Sequence, residues 1–152
     1  MKLLQTNVGQ TETFDAYADD NSFLLSAFVF EDVGVTAYQG AAPLISDRTV
    51  LANAAGLLAV EAYHAGAIRA ILIGRGLFAQ GQAISNVRNG ANPGTNSDQG
   101  IGDAVTSNLA PVNPPTGLTY ARTPQQVLNI VYLNSAGRPT GFFPNGLNGR
   151  LR

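Results

Sequence analysis

The chain of 152 residues has no cysteine and no tryptophan, a single histidine and a single methionine, and only 12% charged residues. Without thiols it can form neither a disulfide nor a thiolate metal site, and its composition is silent about redox compartment. Any metal would have to be held by oxygen and nitrogen ligands. Charge of either sign is scarce. Nine basic residues stand against ten acidic ones for a net charge of −1, so there is no electrostatic footprint for nucleic acid or an anionic membrane surface. The run Met1 to Asn7 carries one lysine and only two consecutive apolar residues, short of the roughly 7–15 of a signal-peptide core. No signal peptide is read, and localisation stays open. A Gly-x-Gly-x-x-Gly or Walker-type loop is missing, as is a Gly-x-Ser-x-Gly elbow, which removes the common phosphate-cradling and hydrolase signatures. Ser22, Ser26 and Ser46 lie near helix starts, where capping explains them.

Apolar residues make up 45% of the chain and gather before Phe78, while Gly, Pro and Asn crowd the remainder. This asymmetry predicts an all-α protein built as an extended lead-in over 1–21, an antiparallel helical hairpin over 22–76, and an irregular C-terminal segment over 77–152 packing on the hairpin. In the first helix, 22–42, Leu24, Ala27, Phe28, Glu31, Val35, Tyr38 and Ala42 recur at steps of three or four and mark its inner face. Asn21 or Ser22 can cap it, Asp32 reads as solvated surface, and Pro43 ends the helix. Ser46 or Asp47 caps the second helix, 47–74, whose stripe runs through Ala54, Leu57, Leu58, Glu61, His64, Ala65, Ile68 and Leu72. The short connection makes the two helices antiparallel neighbours. Segment 50–73 is long and apolar enough to raise the question of a membrane span. However, Asn53, Glu61, His64 and Arg69 are expensive in lipid, so it reads as a buried core helix with no span. Beyond Gly76, a short helix over 79–89 is followed by turn-rich sequence. Thr123-Pro124-Gln125-Gln126 then forms a capping-box pattern opening a short helix near 124–132. Strand content should be minimal.

The chemistry concentrates in the hairpin. Glu31 on one helix and Glu61-Ala62-Tyr63-His64 on the other place two carboxylates and the only imidazole in apolar runs. A carboxylate on a packed face must be hydrogen-bonded, paired or bound to a metal. At about 1.5 Å per residue from the loop, Glu31 lies roughly 20 Å in, Glu61 roughly 25 Å and His64 roughly 29 Å. The three therefore fall within a turn or two of one another. An inward Glu facing a Glu-x-x-His is half of the ligand set of di-metal carboxylate bundles, with donors that suit iron or manganese. Tyr38 and Arg69 are the neighbours expected to support it. The alternative stays open: His64 hydrogen-bonded to Glu31 or Glu61, and those carboxylates paired with Arg69, Arg75 or the Tyr38 hydroxyl, with no metal at all.

The runs Ala27-Phe28-Val29-Phe30-Glu31-Asp32-Val33-Gly34-Val35-Thr36-Ala37-Tyr38 and Leu58-Ala59-Val60-Glu61-Ala62-Tyr63-His64-Ala65-Gly66-Ala67-Ile68-Arg69 resemble the ferritin-like family of the plant desiccation-related proteins and their bacterial and fungal relatives. The segments Arg122 to Tyr132 and Phe142 to Gly149 are similar to that family's C-terminal part. The resemblance covers the family's C-terminal half only; its members carry two earlier helices. It implies half of a ferritin-like four-helix bundle and a desiccation- or stress-associated protein with a binding or structural role and a half-complete di-metal site at Glu31, Glu61 and His64. No catalytic residue is assigned. The alternative is an iron- or manganese-dependent oxidase or peroxide-consuming protein with its site assembled across a dimer. Geometry adds an expectation of its own. Inward stripes on two helices cannot hide against each other alone, so Leu24, Phe28, Val35, Leu57, Leu58, Ile68 and Leu72 should leave an apolar face. Phe142 and Phe143 could plug part of it. A homodimer, or a missing N-terminal bundle half, would cover the rest.

Overall fold

The computed structural model describes residues 14–95, 97–134, 136 and 141–148; most of the expected lead-in, residues 1–13, lies outside them. Helix α1 runs Asp20–Ala41, and a single 3-10 turn at Ala42–Leu44 carries Pro43. Helix α2 spans Arg48–Gly74, α3 Phe78–Ala91 and α4 Pro124–Tyr132. Among the described residues there is no strand, only isolated bridges at Gly102 with Ser107 and Asn113 with Leu118. The chain is all-α, as its periodicity predicts.

Caps set the helix starts. The Asp19 carboxylate, and not Asn21 or Ser22, caps α1 by accepting the Ser22 amide at 2.7 Å. Asp47 accepts the amides of Thr49 and Val50 at 2.8 and 2.9 Å and so opens α2. At α4 the capping box closes in both directions: Thr123 Oγ1 accepts from the Gln126 amide at 3.3 Å, and Gln126 Oε1 accepts from the Thr123 amide at 2.8 Å. Thr123→Ala should therefore cost about 1 kcal/mol in a urea titration, whereas an unchanged midpoint would mean that α4 contributes nothing to the cooperative unit.

The core lies on one side of the hairpin. Leu25, Phe28 and Val29 of α1 meet Leu72 of α2, Ile84 of α3 and Ile101 of the following loop, flanked by Leu24, Ile68, Ile73, Leu77, Phe78 and Phe142. A second cluster joins Val33, Ala91 and Ile130, with Val127 against it. The backbone of Arg122 runs close along α1: its amide donates to the Thr36 carbonyl at 3.0 Å. Gly40 permits this approach, because a Cβ there would overlap the Arg122 carbonyl oxygen.

The other side of the hairpin is open, which corrects the expectation of a buried core helix. Helix α2 is long and apolar enough to cross a bilayer, yet only 17% of its most apolar 18-residue window is buried. The reason is that the tail covers only one face. Leu57 is 49% exposed, Val60 46% and Ile71 43%, while Phe28, Val35 and Leu72 of the same expected stripe are buried. Phe142 does act as a plug, its ring edge-on to Phe30 at 4.7 Å between centroids. Phe143 remains 45% exposed.

Candidate functional site

Adjacent residues on a helix point about 100° apart, and this divides the charged residues of the hairpin between its two faces. Glu31 turns to the open side. There His64 Nδ1 lies 3.2 Å from Glu31 Oε2, with the His64 side chain 58% exposed and that of Glu31 25% exposed. Glu61 packs over Gly34, where any Cβ would overlap its carboxylate. The expected trio is thus gathered across α1 and α2, although on a half-open surface and not in a packed interior.

The Glu61 carboxyl is pushed above its ordinary value of 4.5, first by burial and then by the charge of Glu31 and a hydrogen bond shared with it, while His64 pulls the other way. A carboxyl whose pKa is raised in the folded state favours folding when protonated. That contribution is full below the ordinary value and is lost as pH rises through the raised one. Glu61→Gln should therefore leave the melting temperature near that of the parent at about pH 4 and raise it at about pH 7 in metal-free buffer. Parallel melting curves across that range would show that neither burial nor Glu31 raises the Glu61 pKa.

Arg69 is not beside the trio. Its Nε and Nη2 donate to the two oxygens of Asp32 at 3.0 and 2.7 Å, and its remaining bonds go to the carbonyls of Gln99, Gly100 and Asn108. Arg75 reaches Asn21 and Asp20 on the surface, so neither arginine pairs with Glu31 or Glu61. Tyr38 is half-buried one heptad from Glu31. Asp32, expected on the surface, is instead buried at the head of a ladder of ion pairs. Arg88 Nη2 bridges Asp32 at 2.8 Å to Asp98 at 2.8 Å, and Arg122 Nη2 closes on Asp98 at 2.7 Å. Arg69, Arg88 and Arg122 are among the most fully buried side chains of the protein. Phe28 lies between the first two, their guanidinium carbons 5.0 and 4.6 Å from its ring centre. The signal in the sequence was faint: arginine outnumbers lysine eight to one, a bias suited to bidentate, weakly hydrated pairing inside a protein.

Residues 3–74 match the family model of the ferritin-like domain, which is the segment carrying the hairpin and the Glu31, Glu61 and His64 constellation. This match, over just under half of the chain, agrees with the group that its motifs resemble. The chain is similar to the ferritin-like catalase Nec2 of Nesocodon mauritianus, with 29% identity over 91% of this chain and 50% of that protein. It is also similar to the desiccation-related protein PCC13-62 of Craterostigma plantagineum, with 45% identity over 41% of this chain and 20% of that one. The chain therefore spans half, or less, of the length of these relatives. No solved structure matches it significantly.

Proposed function

We propose that this is a ferritin-like protein of the desiccation- or stress-associated kind, acting by binding or as a structural element. In this reading Glu31, Glu61 and His64 form half of a carboxylate and histidine metal site. The observation that carries it is the pairing of His64 Nδ1 with Glu31 Oε2 at 3.2 Å beside Glu61, on the face that the tail leaves open. Oxygen and nitrogen donors of this kind fit iron or manganese. Among the described residues no group of three His, Cys, Asp or Glu side chains, this trio included, is disposed to hold an ion; in this reading one hairpin supplies a partial set and the other ligands come from a second bundle half. The exposed residues of α2, Leu57, Val60 and Ile71, follow the same side as His64 at helical spacing. They suit the seat of that half, either a second copy in a homodimer or an N-terminal pair of helices.

A second reading has its own support. One relative is named a catalase, and a carboxylate-bound iron or manganese would supply redox chemistry toward oxygen or peroxide when present. In it the chain's residues hold the metal, with Gly34 leaving the space that Glu61 needs. Aerobic reconstitution with Fe(II) or Mn(II), followed by metal analysis and sedimentation, tests both. Stoichiometric metal in a dimer, weakened about tenfold or more by Gly34→Ala, is the result expected if the site assembles across two copies. Protein that retains no stoichiometric metal eliminates the oxidase reading and leaves the structural one.

A further inference from the structure

A cavity of about 360 Å³ lies on the covered side of the hairpin, between α1, α2 and the loop that runs from Ser97 to Arg122. It contains none of Glu31, Glu61 or His64 and has no part in the proposed metal site. Its walls are apolar, formed by Val35, Ala62, Ala65, Leu109, Pro111 and Val112, and its floor is the ion-pair ladder with Asp32, Arg69, Asp98 and Arg122. We propose that this cavity binds a small amphiphilic monocarboxylate, an apolar body within the walls and an anionic head at Tyr120, drawn by the surplus positive charge of the floor.

The charge balance is the first argument. The ladder holds three guanidinium groups and two carboxylates, and the ion pairs of those arginines among the described residues go only to Asp32 and Asp98. One positive charge is therefore uncompensated in a buried place, where an unpaired ion is costly. Position puts that charge beside the cavity. Arg122 lines it and Arg88 does not, although the unpaired Nε of each is sealed inside the protein and is no direct contact for a ligand. Tyr120 lines it too. Its phenolic oxygen accepts from Gln99 Nε2 at 2.7 Å, which leaves its own proton to donate. Burial lowers the Arg122 pKa, with Asp98 opposing, so a further anion would relieve the same penalty. The volume is at the small end of ligand pockets, and a lining that is mostly apolar, with Thr36, Gln99 and Thr119 among its few polar residues, would leave a multiply charged anion poorly solvated.

Calorimetric titration of the intact protein with octanoate and with its neutral isostere octanamide tests this. Octanoate should bind once per chain and octanamide at least tenfold more weakly, as befits hydrogen bonds to a charged head. Tyr120→Phe should weaken octanoate severalfold. Gly66→Leu should abolish binding while keeping the helical fold, since a Cβ at Gly66 meets nothing nearer than the Leu109 carbonyl at 3.9 Å, the rest of the side chain has the cavity to enter, and leucine favours helix. Equal affinity for the two probes, octanoate binding unchanged by Gly66→Leu, or a folded protein that binds neither probe would each overturn the proposal.

Discussion

Replacing Asp32 with alanine should lower the free energy of unfolding by about 3–5 kcal/mol, the usual result of stranding a buried charge by deleting its partner. Asp32 accepts three arginine hydrogen bonds, from Arg69 at 3.0 and 2.7 Å and from Arg88 at 2.8 Å. Its removal leaves both guanidinium groups inside the protein with carbonyls and Asp98 as their only acceptors. For a domain of this size the loss is a large part of a total near 5–15 kcal/mol. The ladder also fastens α3 and the loop after it to the hairpin, because Arg88, Asp98 and Arg122 all lie beyond Gly76 while Asp32 and Arg69 belong to α1 and α2. Proteolysis should accordingly begin in the turn-rich stretch between α3 and α4. Asp20→Ala is the control. Its pair with Arg75 spans 3.6 Å with the aspartate 88% exposed, and exposed pairs contribute at most about 1 kcal/mol. Equal shifts of the urea midpoint for the two variants would show that the buried ladder does not hold the tail.

Which residues line the hairpin's two faces was only half visible in the sequence. Periodicity and capping chemistry located α1, α2 and α4, because these signals are local and depend on residues within a few turns of each other. The juxtaposition of Glu31 with His64 was legible for a similar reason: a short connection fixes the antiparallel register. The direction of burial was not legible. Both faces of α2 are apolar, so the 3.6-residue stripe did not reveal which side the tail would choose, and Leu57 proved exposed while Arg69 proved buried. The Asp32 environment was hidden more deeply. Its partners Arg69 and Arg88 come from positions 37 and 56 residues away in sequence, and nothing local distinguishes a buried aspartate at a helix face from a solvated one. The consequence is a hairpin with unlike sides, one sealed by the tail through ion pairs and one leaving its carboxylates and apolar residues exposed.

Phe28→Ala should be nearly as damaging as loss of Asp32, at about 3–5 kcal/mol for a large side chain removed from a packed core. Phe28 has no exposed surface and touches the cluster of Leu25, Val29, Leu72, Ile84 and Ile101. Its ring is also flanked by Arg69 and Arg88, and its own carbonyl accepts Arg88 Nη1 at 2.6 Å. Phe28→Leu separates these contributions. Leucine keeps most of the apolar volume and the backbone carbonyl but gives the guanidinium groups no ring face, and each desolvated cation–π contact is worth about 0.5–2 kcal/mol. A loss of about 1–3 kcal/mol is therefore expected for the leucine variant. Combining it with Asp32→Ala should cost less than the sum of the two, because arginines released from Asp32 are no longer held over the ring, and residues that share a network couple by about 0.5–3 kcal/mol. Additivity within about 0.5 kcal/mol would mean that the ring and the carboxylate act independently, with the two arginines held by backbone carbonyls and not by the sandwich.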